Sequence, residues 1–180
     1  QGPRPMVAGN WKMNGSVAML KEPRLLAAML KDVKLKADVM VCPPAILVRR
    51  VKSVLKGSKI KVGGQDCHWN AAGAHTGDTS AEMLTEAGCS AVIVGHSERR
   101  TNHGETDEIV SKKAKAVQAI AKEVGLDLKV HHAAAHGAMR YQVEELHRSE
   151  DEVRYRLEIP PASGFFDGHF PGNPILPGVA

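Results

Sequence analysis

The run Ala91-Val92-Ile93-Val94 breaks abruptly into Gly95-His96-Ser97-Glu98-Arg99-Arg100, and this junction constrains the fold more than any other part of the chain. Consecutive apolar residues of this kind read as a strand buried on both faces, the habit of parallel sheets covered by helices. In such sheets chemistry collects at the carboxyl ends of the strands, so a charged cluster there marks a candidate site. The pattern occurs again near the amino terminus, where Pro5-Met6-Val7-Ala8-Gly9 runs into Asn10-Trp11-Lys12-Met13-Asn14-Gly15.

The first two-thirds of the chain alternates strand and helix. Strands are predicted near 5–10, 37–42, 59–65 and 90–95, and helices near 17–31, 45–56, 79–87 and 105–123. Thr79-Ser80-Ala81-Glu82 supplies hydroxyls and an acid for a helix start. The fourth helix carries Glu105, Asp107 and Glu108 early and lysines late, which complements its dipole. Its lysines (Lys112, Lys113, Lys115, Lys122) are expected on the solvated outer face. Four βα units at about 30 residues each is the allotment of a (β/α)8 barrel. The fold class is therefore α/β, with the first four βα units of such a barrel.

After Gly125 the pattern changes. Val153-Arg154-Tyr155-Arg156-Leu157-Glu158-Ile159 alternates strictly, as does Met139, Tyr141, Val143, and Arg148-Ser149-Glu150-Asp151 suits the turn between them. A short antiparallel β segment is thus expected, with a domain division of 1–125 and 126–180. Aromatic residues at 4% argue against a base-stacking nucleic-acid platform, and a net charge of +4 suits a small anion at least as well. No stretch is apolar over the ~18 residues of a membrane span. Gln1-Gly2-Pro3-Arg4 lacks the apolar core of a secretory signal and reads as a processing remnant; a cytoplasmic location is expected. Cys42, Cys67 and Cys89 have no C-x-x-C spacing, so reduced thiols are expected and neither a metal nor a cofactor is implied. His131, His132 and His136 read as linker histidines rather than ligands.

Taken singly, His96 fits a structural hydrogen-bonder, Lys12 a solvated charge, and Glu98-Arg99-Arg100 a salt-bridged helix start. Placement at the ends of different parallel strands is what makes Asn10, Lys12 and His96 candidates together. GNWKMNG and VIVGHSERR resemble the triosephosphate isomerase family, and VCPPAILV (Val41 to Val48), GGQDCHWNAAGAHTGDTSAEMLTEAG (Gly63 to Gly88) and GETDEIVSKKAKAVQA (Gly104 to Ala119) agree in order and spacing. The resemblance covers roughly residues 4 to 120. It implies aldose–ketose isomerisation of a small phosphorylated triose, without a cofactor. Lys12 would be the cation beside Asn10, His96 the neutral electrophile, Ser97 a support for that helix end, and Glu98 a partner of the lysine. Thr76, in Gly73-Ala74-His75-Thr76-Gly77-Asp78, would be a contact to a neighbouring subunit, implying a homo-oligomer or a partner chain. Asp78 stands where the family usually has Glu. Nothing after residue 125 resembles the family's loop carrying the glutamate base or its later phosphate-binding loops, so impaired turnover is expected.

The last segment, GFFDGHFPGNPILPGVA (Gly164 to Ala180), resembles the hot-dog dehydratases of 3-hydroxyacyl thioesters. That resemblance covers roughly residues 139 to 180. It implies a proton-transfer role for His169 and a carbonyl-polarising backbone around Gly178 and Val179; the carboxylate that partners the histidine in that family has no counterpart here. A third reading is non-catalytic: a chimeric or truncated scaffold in which both motifs are silent.

Overall fold

The computed structural model describes residues 4–125, 140–148 and 153–158. Over the first stretch the elements are β1 (Met6–Asn10), α1 (Lys21–Leu30), β2 (Asp38–Cys42), α2 (Val48–Val54), β3 (Lys61–Gly64), α3 (Ala81–Ala87), β4 (Ala91–Val92), α4 (Ser97–His103) and α5 (Asp107–Glu123). α1 and α2 are each entered through a short 3-10 turn. The four strands form one parallel sheet in the order β1-β2-β3-β4. Sequential parallel strands joined by helices are the arrangement the alternation predicts for four βα units of a barrel.

Residue parity divides the sheet into two faces. Met6, Ala8, Met40, Cys42, Ala91 and Ile93 cluster on one side. Val39, Val41, Val62, Val92 and Val94 pack on the other against Val48, Val51, Leu55 and Leu84 from the helices. The first face is crowded enough to exclude a side chain from β3. A Cβ on Gly63 would stand 2.6 Å from Met40 Sδ and 2.8 Å from Cys42 Sγ. Asn10 shares the parity of Met6 and Ala8, so the same face carries the site residue at its end.

Two differences from the sequence reading concern β4 and the helices after it. The predicted strand 90–95 pairs only over Ala91–Val92, flanked by bonds from Ser90 N–H to Val62 O (2.9 Å) and Ile93 N–H to Gly64 O (2.9 Å). β3 ends at Gly64, so later residues have no backbone to pair with. Gly95 then turns the chain away at φ +70°, where a Cβ would meet Val110 Cγ1 at 2.7 Å. Residues 97–103 form a helix of their own, stopped by Gly104 in the left-handed region (φ 63°). α5 starts two residues later than predicted, at Asp107, capped by the Thr106 hydroxyl, which accepts from Ile109 N–H. Ser80 caps α3 in the same way, accepting from Met83 N–H.

The expected antiparallel segment is present as β5 (Arg140–Arg148) and β6 (Val153–Glu158), paired from Arg140↔Glu158 to Arg148↔Val153 with two register shifts. No described helix is long and apolar enough to cross a membrane.

All three cysteines are free and buried. Burial pushes the thiols up, to about 12 for Cys42, about 12 for Cys67 and about 11 for Cys89. A thiol so raised carries almost no thiolate near neutrality. Iodoacetamide at pH 8 is expected to leave all three unmodified in the native chain and to label all three in guanidinium, as read by intact mass.

Candidate active site

The site is built from the two edges of the sheet. At the end of β1, Asn10 is buried and its Oδ1 accepts from the Lys12 backbone N–H at 2.9 Å. Lys12 has φ 54°, the one positive φ of a non-glycine residue among the described residues. A lysine gains nothing locally from that conformation, so neighbours must hold it. Gln65, just past β3, does so: its Nε2 donates to Lys12 O at 2.8 Å and to Cys42 O at 2.9 Å. Trp11 N–H also donates to Cys42 O at 3.0 Å, and Asn14 Nδ2 to Trp11 O at 3.0 Å. The turn after β1 is thereby pinned to the end of β2.

At the other edge His96, buried, is the N-cap of α4. Its Nδ1 accepts from Glu98 N–H at 3.1 Å. An imidazole nitrogen that accepts a backbone N–H carries a lone pair, so in the neutral ring the proton sits on Nε2. His96 is therefore set as a hydrogen-bond donor through Nε2. Glu98 joins the two edges. One carboxylate oxygen pairs with Lys12 Nζ, and the other stands 3.7 Å from His96 Nδ1. The arrangement offers an ammonium and a neutral imidazole donor, a pair suited to an anion and to a carbonyl that must be polarised.

Asn10, Lys12, His96 and Glu98 are thus brought together. Ser97 opens α4 as an exposed residue, and the bond that caps this helix end comes from His96 itself. Thr76 is exposed in the loop between β3 and α3. His169 and Gly178 lie outside the described residues.

Beneath the site is a cluster the sequence reading missed. Asp66, after β3, receives Lys113 Nζ on Oδ1 at 2.8 Å and Arg99 Nε on Oδ2 at 3.0 Å. Glu105 Oε1 receives the same two cations, Arg99 at 2.6 Å. Lys113, expected on the wet face of α5, is instead only 4% exposed. Its face of the helix turns toward two acids from other elements, a long-range pairing that helical periodicity does not reveal. The arginines behave as the local reading expects, Arg100 pairing with Asp107 at 2.7 Å. Burial raises Asp66 above the ordinary carboxylate range even though Lys113 and Arg99 pull the other way. Burial also acts to raise Glu105, but hydrogen bonds and charge from Lys113 and Arg99 outweigh it and leave that carboxyl below its usual value.

Comparison with known proteins shows what the chain is similar to. The family model for triosephosphate isomerase matches residues 5–125, and a model described as ApeI dehydratase matches residues 144–180. The chain is 54% identical over 113 residues to a triosephosphate isomerase of Afipia carboxidovorans, covering 63% of this chain and 45% of the relative. It is 52% identical over 121 residues to one from Caulobacter vibrioides, covering 67% and 48%. A crystal structure of the Bartonella henselae triosephosphate isomerase superposes with a TM-score of 0.62 at 46% identity, over 69% of this chain and 49% of that one. The chain spans about half the length of these relatives.

The ion cluster generates a prediction with a sign. A carboxyl held below its unfolded value stabilises the fold above that value and loses the contribution as pH falls through its folded value; Glu105 is of this kind. A raised carboxyl, like Asp66, binds its proton more tightly when folded and weighs against stability at neutral pH. Glu105→Gln is expected to cost about 3 kcal/mol at pH 7, since it leaves the buried Lys113 under-compensated. Asp66→Asn should cost less, about 1 kcal/mol, because burial already disfavours the Asp66 charge, although the amide keeps only one of its two acceptors. Urea unfolding at pH 7 and pH 4 checks both, with the deficit of Glu105→Gln narrowing at the lower pH.

Proposed function

The chain belongs to the triosephosphate isomerase family, and from that premise we propose that it carries the electrophilic half of the site that interconverts dihydroxyacetone phosphate and glyceraldehyde 3-phosphate. The reaction moves a proton between adjacent carbons through an enediolate. It needs a base, a donor to the carbonyl oxygen, and a cation for the phosphorylated substrate. Lys12 is the cation. His96, whose Nδ1 is held by Glu98 N–H, donates through Nε2 to the carbonyl; a neutral imidazole electrophile is the known arrangement in this family. Asn10 fixes the backbone of Lys12. Glu98 holds the lysine until substrate competes for it, and Ser97 opens the helix that His96 caps. Thr76 contacts a second subunit, and the working form is a homodimer or a complex with another chain. The location is cytoplasmic, the pathway glycolysis and gluconeogenesis.

The observation that carries this reading is that Glu98 holds both groups from opposite edges of the sheet, Lys12 through its carboxylate and the His96 imidazole through its backbone N–H. We assign residues 1–125 to the isomerase-like unit and residues 126–180 to a linker and a hot-dog-like segment. Turnover is read as impaired because nothing after residue 125 resembles the family's loop that carries the glutamate base.

The match of residues 144–180 to a dehydratase model favours a second reading for that segment alone, with His169 as its proton-transfer group and Gly178 polarising the thioester carbonyl.

A coupled isomerase assay and calorimetric titration with 2-phosphoglycolate test the proposal on the whole chain. The expected outcome is weak turnover that disappears in His96→Gln, and phosphoglycolate binding that Lys12→Met weakens roughly 10-fold or more, the worth of one charge-assisted contact. Binding of an acyl thioester instead would favour the dehydratase reading. Binding of neither ligand would mean a non-catalytic scaffold.

A further inference from the structure

Three ligand-bearing side chains that the candidate site does not use meet in the loop between β3 and α3. His68, His75 and Asp78 each bring one donor atom within 4.8 Å of the other two. The rings of His68 and His75 are stacked at 3.8 Å, and Trp69 stacks on His68 at 4.2 Å. Lys112 Nζ lies 5.7 Å from the Trp69 ring, which ties the stack to α5.

Both imidazoles turn a lone pair toward the same residue. His68 Nδ1 accepts from the Asn70 backbone N–H at 2.9 Å. His75 Nε2 is 3.1 Å from Asn70 Nδ2, a carboxamide nitrogen that only donates, so this ring nitrogen accepts as well. Each imidazole thus meets a different N–H of Asn70, His68 the backbone one and His75 the side-chain one, with a carboxylate close by. The backbone is arranged around them. His75 lies over Gly73, where a Cβ would stand 3.1 Å from His75 Nε2, and Gly77 at φ 91° leads into Asp78. His68 N–H donates to Thr79 O at 2.8 Å and His68 bridges Ser80, so His68 and Asp78 sit at the neck of the loop, with Thr76 nearer its tip.

We propose that His68, His75 and Asp78 form a site for a divalent transition-metal ion of the zinc(II) class, with water completing the coordination. Two imidazoles and one carboxylate are the donor set of such ions and a poor one for magnesium or calcium. Bonds of about 2.0–2.1 Å in a tetrahedron put donor atoms about 3.3 Å apart. The donors must therefore close by on the order of 1 Å, and the stacked imidazoles must turn out of their near-parallel planes so that both lone pairs face one ion. The ion displaces the Asn70 donors and acts as a clasp across the neck of the loop. The sequence reading implied no metal from the cysteine spacing and from His131, His132 and His136; H-x6-H-x2-D follows no familiar ligand spacing, and only the loop's return brings these residues together. The inference uses none of the catalytic residues of the isomerase reading, although it shares a loop with Thr76, the proposed subunit contact.

The test uses the full chain and the metal alone. Zinc(II) is titrated calorimetrically, and nickel(II), a paramagnetic quencher, is followed through Trp69 fluorescence. The expected result is one-to-one zinc binding, tighter at pH 7.5 than at pH 6 because protons compete for the imidazoles. Nickel should quench a component that is missing in Trp69→Phe, and zinc added first should protect it. His75→Ala and Asp78→Asn, with circular dichroism confirming that each is folded, should each weaken binding roughly 10-fold or more, the scale set by lesser changes around metal sites. Binding that is unchanged in both variants, or nickel quenching that does not involve Trp69, would place any metal elsewhere, for instance on His131, His132 and His136, and would overturn the proposal. Absence of saturable zinc binding would do the same.

Discussion

The buried ion cluster of Asp66, Arg99, Glu105 and Lys113 is what the rest of the site stands on. α4 is seven residues long and buries none of them, so neither helix propensity nor apolar packing holds it in place. Arg99 anchors it to the end of β3 through Asp66 and to the start of α5 through Glu105. Arg100 adds a bond from Nε to Gly95 O at 3.1 Å. His96 caps this helix, and the direction of its ring follows from the helix's position. Two acids and two cations leave the cluster neutral. A buried pair of this kind contributes little net stability against an apolar replacement, so its value here is positional.

The turn after β1 is held differently. Lys12 occupies a left-handed conformation that a lysine does not favour. Asn10 and Gln65 take up its backbone N–H and C=O, which converts the strain into a fixed direction for the side chain. One edge of the site is thus set by charges between helices and the other by side-chain amides gripping backbone.

Much of this was legible in the sequence. Strand and helix alternation gave four βα units because each apolar run is short and bounded by turn residues, and Asn10, Lys12 and His96 announced themselves by ending such runs. The rest depended on contacts between residues far apart in the chain. Lys113 looks like its neighbours Lys112 and Lys115 in a helical pattern, and its pairing with Glu105 and with Asp66, 47 residues away, distinguishes it. Gln65 has no local signature, since its partners are carbonyls on two other strand ends. The shortness of β4 follows from where β3 stops, which the apolar run Ala91–Val94 cannot express. His68 and His75 become neighbours only when the loop closes.

Strand order has a mechanical consequence. Lys12 and Glu98 stand 86 residues apart in sequence and at the two outer strands of a four-stranded sheet, yet they pair. Their meeting is possible only if the sheet bends far enough to bring its margins toward each other. The ion pair is in that sense a gauge of curvature. A change in the roll of the sheet, even one that leaves every strand pairing intact, would alter the span between ammonium and imidazole and hence the size of the molecule that fits between them.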